Sequence, residues 1–194
     1  MKNKSIVLTL LLFSFYSCFS QADTARKRLM DYNNKIFAIV DNCISIDKEI
    51  TKAINNKNPV DIEFHRTSLL MSVEKGMKQL DKTASFDDDA SLKFSGRDVL
   101  KYYKQLAESD LPQIRDFFII ENNFLLLKNK FAKKPVKKYS NAEIYAYNNE
   151  VKKYNEASIR YSQLSTFINS SRKLTLYNWN ASAKIFTDAH LRNS

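Results

Sequence analysis

The sequence predicts an all-α protein, an elongated antiparallel four-helix bundle with long helices and a third helix kinked near Pro112. Three observations lead there. Only two Gly and three Pro interrupt 194 residues, of which 44% are hydrophobic, so long helices can form around an ordinary core. Apolar residues recur every three or four positions over long stretches, which is the period of a helix face. Strand signals are nearly absent: only residues 117–120 and 124–127 are apolar enough to mimic strands, and no turn residues frame them. The length suits one domain.

Residues 1–20 read as an export signal. Lys2 and Lys4 supply a positive start, and residues 6–15 form an uncharged apolar run too short to span a bilayer. Two processing routes fit. Signal peptidase can cut after Ser20, with Cys18 and Ser20 as the small residues it needs, leaving Gln21 first; a cut after Ala22 is the near variant. Alternatively, Cys18 is a lipidation site, although of Phe15, Tyr16 and Ser17 before it only Ser17 suits that pattern. Either route leaves residues 21–194 as a single helical-bundle domain with no transmembrane segment.

Four helices follow, at about 24–56, 59–83, 90–131 and 141–189. In the first, Leu29, Ile36, Cys43 and Ile50 are seven apart, and Tyr32, Ile39, Ile46 and Ala53 follow each by three. Val40 and Ile54 widen this seam to the stripe of a bundle helix. Asn58 as N-cap, Pro59 at the first position and Asp61 and Glu63 in the first turn open the second helix. Its inward face carries Ile62, Leu69, Val73, Met77 and Leu80. Gly76 lies on that face without a turn signal, which predicts close helix approach at a helix-propensity cost of about 1 kcal/mol.

One of Asp87, Asp88 and Asp89 caps the third helix, which turns Leu92, Val99, Tyr103 and Leu106 inward. Pro112 removes a backbone donor and clashes with the preceding turn, so the helix kinks or restarts. Ile114, Phe117, Phe118, Phe124, Leu125 and Phe131 continue the apolar face beyond it. A break at 132–139 precedes a Ser140–Glu143 capping box. The last helix, on the order of 70 Å if continuous, turns Ile144, Tyr147, Val151, Tyr154, Tyr161, Leu164, Ile168, Leu174, Ala181 and Ile185 inward. Short links make neighbouring helices antiparallel.

Composition excludes several function classes. Two glycines cannot furnish Gly-rich phosphate loops, dinucleotide-binding turns or nucleophile elbows. His65 and His190 lack zinc-ligand spacing, and no inward Glu-x-x-His motif marks a bundle metal site. Asp87 to Asp89 do not make a calcium loop, because Leu92 and Asp98 stand where Gly and Glu are required. No catalytic, cofactor or metal residue is assigned, and the chain reads as non-enzymatic. After processing before Gln21, Cys43 is a lone thiol in an exported protein, read as a small buried residue of a helix interface.

Charge carries the one binding signal. The chain has a net charge of +10, and loss of residues 1–20 leaves 29 basic against 21 acidic side chains. Lys128, Lys130, Lys133, Lys134, Lys137 and Lys138 cluster around Pro135. They form either a solvated loop at a bundle end or a patch for anionic lipid headgroups or acidic glycan. The cluster has no Arg and no accompanying nucleic-acid motif. Tyr147, Tyr154 and Tyr161 line one stripe, read as packing with hydroxyls at the rim or as a partner surface. Trp179 is either a plug at the bundle end or an exposed anchor.

Two stretches add a family likeness. Residues 86–92 (FDDDASL) leading to 98–103 (DVLKYY), and Trp179-Asn180 followed by 186–190 (FTDAH), resemble an uncharacterised family of exported helical surface proteins of spirochaetes and Bacteroidetes-like bacteria. Cleavage before Gln21 resembles Bacteroidetes usage, and Asp23-Thr24-Ala25 is similar to their short O-glycosylation acceptor. The resemblance implies a secreted or surface location, with an unidentified protein or envelope partner, and no known activity.

Overall fold

The computed structural model describes residues 3–133, 135 and 138–192, with side chains from Asp23 onward. The described chain is all-helical. It comprises α1 (Asn3–Asn55), α2 (Pro59–Lys82), α3 (Ser91–Gln105), a π-helical turn (Leu106–Asp110), α4 (Leu111–Phe131) and α5 (Asn141–Arg192). No strand occurs among the described residues, and a backbone bridge joins Phe86 to Asp89. The expected helix start near Thr24 falls inside α1, since no Gly or Pro upstream ends the helix.

α1 and α2 are joined by a tight reversal. Lys57 takes a left-handed conformation at φ 51°. Its N–H donates to the Ile54 carbonyl at 3.0 Å, and the Asn58 N–H donates to that of Ala53 at 3.0 Å. These two bonds satisfy the last carbonyls of α1 in the Schellman pattern, with Lys57 at a place that usually takes Gly. Asn58 then caps α2, its side-chain oxygen accepting from the Val60 and Asp61 N–H groups. The seam residues Leu29, Ile36, Ile39, Val40, Cys43, Ile50 and Ala53 are all buried. Gly76 sits where three helices converge: a Cβ there would lie 2.9 Å from Ile39 Cγ2 and 3.0 Å from Leu100 Cδ1.

The α2–α3 connection differs from the expected aspartate cap. Asp87 and Asp88 have φ 44° and 66°. Phe86 and Asp89 exchange backbone hydrogen bonds of 3.1 and 2.8 Å around them, the arrangement of a two-residue primed turn. The N-cap position belongs to Ala90, which makes no side-chain bond. Asp89 serves the helix start from one residue earlier, accepting the Ser91 N–H at 2.7 Å.

At Pro112 the backbone widens. The Leu111 N–H reaches back to the Leu106 carbonyl, closing a π turn, and Pro112 falls in the first turn of α4, the place where a helix best tolerates proline. Leu125, expected inward, is 45% exposed.

The inward stripe of α5 also needs correction. Ile168 is buried, but Leu174 and Ile185 are 61% and 70% exposed. The core-facing residues beyond Ile168 are Trp179, Ala183 and Phe186. The helix has apolar residues on two faces, and the expected pattern crossed from one to the other. Trp179 is a core residue and not an exposed anchor: it is 2% exposed and tilts against Phe37 at 5.0 Å between ring centroids.

Candidate functional site

Beyond Glu121, the aromatic contacts of α4 are made with α5 and with the link between the two helices. Phe117, Phe124 and Phe131, seven residues apart, stack on Tyr161, Tyr154 and Tyr147 at 4.3, 4.5 and 4.4 Å. The partner number falls as the α4 number rises, so the two helices run in opposite directions along this ladder. One stripe of each helix is covered here, while Leu126 and Tyr145 are 71% and 70% exposed. The result is a two-helix arm. It leaves the body where Lys57 Nζ donates to Glu121 Oε1 at 2.8 Å.

The tip is closed by Tyr139. Its ring stacks on Phe131 at 4.3 Å, and its hydroxyl donates to the Lys130 and Phe131 carbonyls at 3.1 and 3.2 Å. Those carbonyls end α4 and would otherwise need other donors. Ser140 and Glu143 open α5 with reciprocal bonds of 2.8 and 3.3 Å, as a capping box does. The aromatic stripe of Tyr147, Tyr154 and Tyr161 is thereby engaged in packing.

Lys128, Lys130, Lys133 and Lys138 are all exposed on this tip. Among the described residues none of the four pairs with a carboxylate. Lys134 and Lys137 lie outside the described residues, as do the side chains of Cys18 and of the processing site up to Ala22. Lys128 and Lys130 also face the negative end of α4. A second cationic surface lies elsewhere: Lys35, Lys75 and Lys82, with Asn42, Ser72 and Gln79, line an open groove of about 540 Å³ between α1 and α2.

The interior holds a polar cluster that the pattern reading missed. Arg172 of α5 donates from Nε and Nη2 to the two carboxylate oxygens of Asp47 of α1, at 2.7 and 2.8 Å. Asp47 is 4% exposed. Burial alone would lower the Arg172 pKa, but the Asp47 carboxylate more than offsets it and the pKa is raised. Burial pushes the hydroxyls of Tyr102 and Tyr103 well above the ordinary tyrosine value. The Tyr103 hydroxyl is buried without a hydrogen-bond partner. Burial also raises the Asp110 carboxyl in the π turn. Cys43 is fully buried 3.3 Å from the Ser72 hydroxyl, and burial raises its thiol pKa against that contact. Burial thus disfavours ionisation of both tyrosines and the thiol, while the Arg–Asp pair ties α5 to α1.

The sequence did contain a signal for this pair. Asp47 stands four residues after Cys43 and three before Ile50, on the seam itself, and Arg172 stands four after Ile168. A charge on an apolar stripe marks a buried partner.

The histidines lie apart. His65 is half-buried on α2. His190 Nε2 is 3.1 Å from Asp89 Oδ2, between the rings of Phe86 and Phe186. Among the described residues, no group of three His, Cys, Asp or Glu side chains is placed to hold a metal ion, and no helix is long and apolar enough to cross a membrane. Compared with family models, curated proteins and solved structures, the chain matches none.

Proposed function

We propose that this is an exported protein of the bacterial envelope or cell surface that acts by contact and not by turnover. Its contact element is the α4–α5 arm, presented to an anionic envelope component, either lipid headgroups or acidic glycan. The observation that carries this reading is the ladder of three stacked Phe–Tyr pairs, which stiffens a hairpin whose tip exposes Lys128, Lys130, Lys133 and Lys138. Clustered charge on a protruding tip attracts polyanions. In this reading the body is an antiparallel four-helix bundle, bent where the π turn meets Pro112. The apolar start and the likeness to exported surface proteins supply the location.

Binding to vesicles of anionic lipid, and separately to an acidic polysaccharide, tests the arm. The quadruple replacement of Lys133, Lys134, Lys137 and Lys138 by Gln weakens binding, and wild-type binding falls steeply with salt. Absence of binding to both probes at low salt rejects the arm as a polyanion site. Reproducible turnover that a single pocket substitution abolishes rejects the non-enzymatic reading. The intact mass of the protein from its own cells tests export: a chain starting at Gln21 or Asp23 is a cleaved product, and one starting at acylated Cys18 is a lipoprotein. A mass starting at Met1 rejects processing.

A further inference from the structure

We propose that α5 carries a second, outward-facing seam through which the protein pairs with a second copy of itself, antiparallel, about a two-fold axis at the level of Arg172. Ile168, Trp179, Ala183 and Phe186 define the core-facing side of this helix. Between residues 157 and 187, five large apolar side chains of α5 remain exposed: Ile159, Phe167, Leu174, Tyr177 and Ile185, at 54–71%. At about 100° per residue all five fall within an arc of about 80°, on the side opposite the core face. The same arc holds Gln163, Ser170 and Ala181 and no charged residue. A charge-free apolar strip about 40 Å long stands at the upper end of what a monomer leaves in water.

The order of the strip selects the occupant. Residues equidistant from position 172 match in kind: Ile159 with Ile185, and Phe167 with Tyr177. Leu174 is matched with the small Ser170, and Gln163 with the small Ala181. A two-fold contact demands that residue i meet j while j meets i, and a palindromic strip meets that demand. Two antiparallel copies of α5 centred on position 172 place aromatic against aromatic, isoleucine against isoleucine, and Leu174 in the space beside Ser170. The five exposed side chains offer on the order of 600 Å² per copy, so pairing removes about 1,200 Å² in total, the lower bound of a specific interface. Lys173 borders the seam one residue from its centre, bringing two like charges together. Added salt therefore tightens this contact, whereas it weakens polyanion binding at the arm.

Sedimentation velocity on the protein as purified from its own cells, over a wide concentration range, tests the seam. The expected result is a concentration-dependent dimer that strengthens with salt. Phe167→Glu and Leu174→Glu each raise the dimer dissociation constant by about tenfold to a hundredfold or more, with the circular dichroism of the fold unchanged because both positions are exposed. The register has its own test. Gln163→Lys combined with Ala181→Glu places opposite charges together only in the antiparallel pairing and tightens it, while each residue faces its like in a parallel pairing. A monomer at every concentration, a dimer indifferent to Phe167→Glu, or weaker pairing in the double variant overturns the proposal. A monomer whose binding to anionic vesicles is lost with Leu174→Glu overturns it as well, and assigns the face to a membrane.

Discussion

Arg172 grips both carboxylate oxygens of Asp47 across the α1–α5 interface, at 2.7 and 2.8 Å. Both residues lie on stripes that are otherwise apolar, and α5 meets the body around them. Removing water from two charges costs several kcal/mol, and the bidentate geometry returns much of it. The pair therefore specifies which turn of α5 faces which turn of α1, more than it adds net stability.

Breaking the pair on one side leaves a buried charge. Asp47→Ala should cost about 3–5 kcal/mol in urea unfolding, because the Arg172 guanidinium keeps its burial and loses its partner. Replacing both residues by Leu should recover most of that loss. A single variant within about 0.5 kcal/mol of wild type, the range of surface substitutions, would show that Arg172 escapes to solvent and the pair does not hold the interface.

The arm should melt separately from the body. Tyr154 stacks on Phe124 at 4.5 Å in the middle of the ladder, and a two-helix element has no third face to bury. A double-mutant cycle between Phe124→Leu and Tyr154→Leu should give a coupling of about 0.5–1.5 kcal/mol. In Tyr154→Ala, amide exchange should rise across residues 122–155 while that of α1 and α2 stays near wild type. A uniform rise through the whole chain would instead make the arm part of one cooperative unit.

Much of this architecture is legible in the residues. The α1 seam, the Asn58 cap with Pro59, the Ser140–Glu143 box and the close approach at Gly76 each rest on a local rule that the tertiary structure obeys. The phase of α5 is not legible beyond Ile168, because Leu174 and Ile185 continue a helical period equally well on the wrong face. The contacts of Trp179 with Phe37, Phe186 with Tyr32 and Arg172 with Asp47 decide between the two stripes. The primed turn at Asp87–Asp88 is hidden for a different reason: Asp suits both a helix cap and a left-handed turn. At the arm, the seven-residue spacing of the tyrosines is visible in sequence, but its match to the phenylalanine spacing of α4 matters only once the helices are paired.

Two aspartates should respond to pH in opposite senses. Burial works to raise the Asp89 carboxyl, but hydrogen bonds from Ser91 and His190 outweigh it, and its pKa lies below the ordinary value. Its stabilising contribution is present above the unfolded pKa and is lost as pH falls through the lowered folded value. Asp110 is the reverse. Burial raises its carboxyl, so ionisation destabilises the fold above the unfolded pKa and protonation relieves this as pH falls. Asp110→Asn should therefore raise the urea midpoint at neutral pH and lose that advantage in acid, whereas Asp89→Asn should lower the midpoint at neutral pH. If Asp110→Asn lowers the midpoint at neutral pH, the carboxylate has a partner that stabilises its charge.

Gly76 offers the sharpest test of helix packing. In an isolated helix, Gly→Ala gains about 1 kcal/mol from propensity. Here the added methyl group would lie 2.9 Å from Ile39 Cγ2 and 3.0 Å from Leu100 Cδ1, and both side chains are themselves buried. Overpacking of this kind costs about 1–3 kcal/mol, so Gly76→Ala should be net destabilising despite the better helix former. Trimming one obstacle should reverse the sign of the substitution. In an Ile39→Ala background, which alone loses about 2–5 kcal/mol from the cavity it creates, adding Gly76→Ala should restore part of the stability, since its methyl group occupies the space Ile39 leaves. Additive effects in the two backgrounds would mean that α1 and α2 do not meet at this turn.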